Sequence, residues 1–170
     1  MKKTKKITAV LLILLMAVAA VACSSGNAGK SSVYNNGVLS LTVPEGWTII
    51  EMKDSNQNVV KTNLSIAKAA DASKAMSSPM ITISYGGPDK DLLSVSKDFY
   101  EGAEDVASWE IGGKKFEGFK AQSVGENMIY YFAVDKDKEY QVVLWPNMGG
   151  GNISIEDADV QQIVKSLTGK

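Results

Sequence analysis

The chain reads as an α+β protein, a mainly antiparallel β-sheet sandwiched between helices in α/β/α layers. Three observations predict this. Met128–Val134 and Glu139–Trp145 place apolar residues at successive positions, so both of their faces need cover. Gly112-Gly113, Gly125-Glu126 and Asp135–Lys138 are tight turn signals that join neighbouring strands as antiparallel hairpins. Two amphipathic segments, beginning near Asp89 and Ser154, each carry one apolar stripe that can supply the cover.

Taken in order, Val38–Val43 alternates, with Leu39, Leu41 and Val43 on one face and Ser40 and Thr42 on the other. Pro44-Glu45-Gly46 is a turn signal, and Trp47–Met52 reads as the second arm of a hairpin. Lys53–Asn58 is a polar turn before an extended Val59–Ile66. Ala67–Met76 fits a helical turn or a loop, Pro79 ends it, and Met80–Tyr85 is a strand. Gly86-Gly87-Pro88 breaks the chain before a helix from Asp89 to about Asp105, with Asp89 as N-cap and Leu92, Val95 and Phe99 on its stripe. Trp109–Ile111 and Lys115–Val124 form a second hairpin, followed by the two-sided strands Met128–Val134 and Glu139–Trp145. Ser154 then caps a final helix, with Asp157 placed as in a capping box. Val160, Ile163, Val164 and Leu167 fall at i, i+3, i+4 and i+7, and Gly169 is placed to stop the helix.

The N-terminus reads as an address. Met1–Lys6 holds four of the 18 Lys, and Ile7–Ala22 follows with no charge. This is the pattern of a secretory signal peptide over residues 1–22. The 16 apolar residues fall short of the roughly 20 that a spanning helix needs. Ala20-Val21-Ala22-Cys23 resembles the lipobox of bacterial lipoproteins, with Ala20 where most have Leu. That resemblance implies a diacylglycerated Cys23 as the mature N-terminus, often acylated as well. Two acyl chains give a stable anchor, at ~0.8 kcal/mol per buried CH₂, where one holds only marginally. Residues 23–32 read as the lipidated Cys and a flexible tether, and residues 33–169 as a single domain. The expected location is the cell membrane, lipid-anchored on the extracytoplasmic side.

Composition then removes several kinds of chemistry. The 18 basic residues are all Lys, there is no His, and Cys23 is the one Cys. No Ser-His-Asp or Cys-His catalysis, imidazole metal site, thiolate zinc cluster or guanidinium clamp can be built from such a chain. Beyond residue 22 the chain keeps 14 Lys against 19 acids, a net charge of −5 with no basic patch, which argues against nucleic acid as a partner.

Val43-Pro44-Glu45-Gly46-Trp47 resembles the "VPxGW" segment of PsbP-like domains, the fold family of the photosystem II extrinsic protein P and a Ran-binding nuclear import factor. Ile163-Val164-Lys165-Ser166-Leu167 is similar to that family's terminal "I-x-x-S-L" helix. The resemblance implies an antiparallel sheet between helical layers and no particular activity, because fold does not fix function.

Site residues are few. Asp135, Asp137 and Glu139 alternate like the start of a calcium loop, but Tyr140 stands where such a loop needs Gly, so they read as a solvated hairpin tip. Asn147–Asn152 lacks the Lys of a phosphate loop and reads as a flexible connection. Trp47, Trp109 and Trp145 suit a groove or, more simply, a core. A partner surface is expected where Trp145 and Pro146 meet the Asn147–Asn152 loop. No catalytic residue, cofactor or metal is expected. The expected role is a non-enzymatic binding or scaffold module for an envelope or protein partner, the alternative an envelope hydrolase using paired carboxylates.

Overall fold

A computed structural model describes residues 31–87, 92–123 and 125–170, with the backbone alone at Leu92. The signal peptide, Cys23, the tether through residue 30, the Asp89 cap and Val124 lie outside the described residues. The chain forms β1 (Ser32–Asn35), β2 (Leu39–Val43), β3 (Thr48–Lys53), β4 (Val59–Ala67), α1 (Ala72–Ala75), β5 (Met80–Gly86) and α2 (Leu92–Asp98). It continues through β6 (Glu104–Ile111), β7 (Lys114–Ser123), β8 (Glu126–Asp135), β9 (Lys138–Trp145), α3 (Ala158–Ser166) and β10 (Thr168–Gly169). Seven strands form one antiparallel sheet in the order β3-β4-β5-β9-β8-β7-β6, and β1-β2-β10 form a second, smaller one.

The two-sided strands β8 and β9 are interior strands of the large sheet, as their patterns require. Tyr131, Ala133, Tyr140, Val142 and Leu144 face α3 and the small sheet, where Val160, Ile163, Val164, Leu39 and Leu41 complete the main core. Met128, Tyr130, Phe132 and Val143 face the other way, towards Leu93 and Tyr100 at α2. Ala67, Ala69, Ala75 and Met80 make a third cluster under α1, whose N-cap Asp71 accepts hydrogen bonds from the Ser73 and Lys74 N–H groups. One layer is therefore α3 together with a small sheet, and the other is two short helices.

Several local expectations are corrected. Val38–Val43 and Trp47–Met52 do not pair. β2 is the middle strand of its sheet, with β1 on one edge and β10 on the other, so β3 finds no free edge there and pairs with β4. Pro44-Glu45-Gly46 instead hands the chain from one sheet to the other. Gly46 sits at φ +77°, the Trp47 N–H donates to the Pro44 carbonyl at 3.2 Å, and the buried Trp47 indole donates to Asp159 on α3 at 3.1 Å. Ser32 belongs to β1 and not to the tether, because Asn36-Gly37 closes a β1–β2 hairpin. Asn36 Oδ1 accepts from the Val38 and Leu39 N–H groups in that turn.

The helix expected from Asp89 to Asp105 ends at Asp98, and Asp105 lies in β6. Leu93 and Tyr100 pack inward, whereas Val95 and Phe99 point outward at 47% and 79% exposure. The inward face runs one position away from the stripe read in the sequence. Ser154 heads a turn and not the last helix. It shares hydrogen bonds with Asp157, as the capping-box spacing suggests, but Asp157 is the N-cap of α3. Gly169 is a strand residue paired with Leu39, and Leu167 is the C-cap. Gly169 is required for close approach, since a Cβ there would overlap the Tyr85 ring. Val134, at the far end of β8, is exposed.

Candidate functional site

On the α1/α2 face of the large sheet, apolar cover stops between the two helices, and the interior strands change character there. Asn63 and Ser65 on β4, Thr82 and Ser84 on β5, and Glu139 and Gln141 on β9 point the same way by their register. Asn63 pairs with Ser84 and Ser84 with Gln141, so these three lie in one row across adjacent strands. Ser65 and Thr82 occupy the next row and share a 3.1 Å hydrogen bond between hydroxyls. Strand alternation produces this arrangement, because Leu64, Ile66, Ile83 and Val142 between the polar residues are fully buried on the opposite face.

The row floors a shallow, open depression of about 300 Å³. Asn63, Ser84 and Gln141 are partly exposed, and among the described residues none offers their side chains a hydrogen bond. Gly86 and Gly87 carry no side chain over one end, and a Cβ at either would meet nothing within 4 Å among the described residues. The buried Glu139 borders the same end.

The other expected sites are distributed differently. Asp135 pairs with Lys138 and Val134 with Glu139, so the pleat puts Asp135 and Glu139 on opposite faces, and Asp137 sits in the exposed turn between. Asp135 faces Tyr140, whose hydroxyl approaches it at 3.5 Å. Among the described residues no three acids come together as a metal group. Pro146 is buried. Trp145 is half-buried between the α1 and α2 clusters, and its indole Nε1 is buried with no hydrogen-bond partner among the described residues. The Asn147–Asn152 loop is seated closely, with Gly149 against the Ser77 carbonyl and Gly151 against Pro79. Trp47 and Trp109 are core residues.

The carboxylates with displaced protonation equilibria move away from what an acid catalyst needs. Hydrogen bonds from Asn58, Ser73 and Lys120 hold Asp54, Asp71 and Glu104 respectively below the ordinary carboxylate range. A hydrolase acid needs a raised value. Tyrosines move up. Burial raises Tyr130 and Tyr131, and burial takes Tyr140 to about 12.

No protein-family model matches the chain, and no curated protein is similar to it. Among solved structures, it is similar to a crystal structure from Bacteroides thetaiotaomicron at 14% identity and a TM-score of 0.48, over 84% of this chain and 48% of that one. The chain thus spans about half the length of that protein. It is also similar to the solution structure of cyanobacterial PsbP from Synechocystis, at 12% identity and a TM-score of 0.45, over 88% of this chain and 98% of that one. The likeness concerns fold and leaves activity open. Pro44-Glu45-Gly46-Trp47 is the crossing between the two sheets, and Ile163, Val164 and the C-cap Leu167 are buried at the end of α3. The polar row lies elsewhere, on β4, β5 and β9. It went unread in the sequence because its members are far apart in the chain. Each looks like the ordinary polar partner of an apolar neighbour until the register aligns them.

Proposed function

We propose that this protein is a lipid-anchored extracytoplasmic lipoprotein, held to the cell membrane through Cys23, whose domain is a non-enzymatic binding module. The observation that carries the binding role is the open row Asn63–Ser84–Gln141 on the interior of a sheet whose opposite face is fully covered. A rigid strand scaffold presenting three amide and hydroxyl side chains to solvent suits recognition of a polar partner. The lipobox-like Ala20–Cys23 supports the anchor, and among the described residues no helix is long and apolar enough to cross a membrane.

Detergent-phase partitioning tests the anchor. The wild-type protein is expected in the detergent phase, and Cys23→Ala in the aqueous phase or as uncleaved precursor. Intact mass showing a free thiol at Cys23 in processed protein would refute the anchor. Crosslinking in intact cells tests the binding face. Crosslinks that survive Ser84→Ala combined with Gln141→Ala would place recognition elsewhere.

A further inference from the structure

We infer that the row Asn63–Ser84–Gln141 binds a neutral, hydroxyl-rich chain, an oligosaccharide lying across the strands. This rests on the binding role proposed above and names its ligand class. The first argument is chemical. Asn and Gln each supply an acceptor oxygen and two N–H donors, and Ser supplies a hydroxyl that does both. Ligand hydroxyls also donate and accept, so such a row matches them without any charge. Among the described residues the floor is lined by no cation, the chain contains no Arg to clamp an acid, and beyond residue 22 its net charge is −5. Anionic ligands are therefore poorly matched.

The second argument is spacing. Asn63, Ser84 and Gln141 stand on three adjacent strands, so the row repeats at the inter-strand distance of roughly 4.8 Å. An extended peptide repeats at about 3.3 Å per residue, with side chains alternating to opposite sides, and falls out of step with such a row. One sugar ring with its linkage is close to one strand spacing. A third feature is access. Among the described residues the depression is open above the row, and Gly86 and Gly87 put no side chain over its end. Among the described residues the one aromatic side chain at the depression, Tyr85, is buried and offers no open face for stacking, so binding is expected in the millimolar range.

Saturation-transfer NMR on the mature protein in detergent micelles provides the test. The probes are cellotetraose and chitotetraose, with tetragalacturonate and a neutral tetrapeptide as comparators. Saturable transfer is expected to the neutral sugars and not to the comparators. Gln141→Ala is expected to weaken it roughly five-fold, with the melting temperature unchanged. Transfer to neither sugar, or transfer unaffected by Gln141→Ala and Ser84→Ala, overturns the inference. Peptide or tetragalacturonate signal that is lost in those variants also overturns the sugar assignment, while leaving the row as a binding face. If no probe binds and the cellular crosslinks also survive the double variant, the binding role itself fails.

Discussion

The two faces of the seven-stranded sheet come from the same strands, yet only one is a core throughout. Towards α3, Leu64, Ile66, Ile81, Ile83, Val142 and Leu144 are fully buried under the nine-residue helix and the small sheet. On the opposite face two short helices cover only the ends, α1 over the Ala67 and Met80 region and α2 over Tyr130 and Phe119. Between them the side chains become Asn63, Ser84 and Gln141. Cover and composition agree position by position. An apolar residue left in that gap would expose a large patch, and a polar one under α3 would lose its hydrogen bonds to water.

The largest expected effects probe the two faces of β8. Tyr131→Asp buries a carboxylate against Trp109 and the α3 core, and should cost about 3–5 kcal/mol in urea unfolding. Tyr130→Asp should also be badly destabilising, since its ring stacks on Phe119 at 4.8 Å and its hydroxyl donates to Tyr100 at 2.8 Å. A neutral result for either would mean that its face is not covered. Gly169→Ala comes next, at roughly 1–3 kcal/mol, because the added methyl must displace the Tyr85 ring held against Tyr140.

Tyr140 sharpens the same point through pH. Its hydroxyl accepts from the Gly169 N–H at 2.7 Å, and burial takes its folded-state pKa to about 12 from the ordinary 10. The native state holds this proton more tightly than the unfolded chain. Its contribution is thus complete below pH 10 and is lost as pH rises from 10 towards 12. Denaturant titrations at pH 9 to 11 should show stability falling, less steeply in Tyr140→Phe. Raised values at Tyr34, Tyr85, Tyr130 and Tyr131 add to the wild-type slope.

The smallest effects belong to side chains outside both cores. Phe99→Ser should stay within about 0.5 kcal/mol, and a larger loss would restore the stripe read from the sequence. Calorimetry with millimolar calcium should give no saturable heat, since Asp135 and Glu139 leave opposite faces of the sheet. A one-to-one isotherm abolished by Asp137→Asn would overturn that separation.

Local pattern by itself determined most strands of the large sheet, most of their turns and the identity of the interior pair. A strand apolar at every position can survive only with cover on both sides, whatever supplies it. The Val160–Leu167 stripe was equally legible because helical spacing is written in neighbouring residues. Tertiary structure alone decided which edge each strand found, so that β3 left β2 for β4 once β1 and β10 had taken both edges of β2. It also decided where the helix expected from Asp89 stopped, since Glu104–Ile111 pairs with β7 as a strand. The polar row belongs to this second class. Asn63, Ser84 and Gln141 become neighbours only through pairing across long stretches of chain, and such pairing is set by burial and register and not by local sequence.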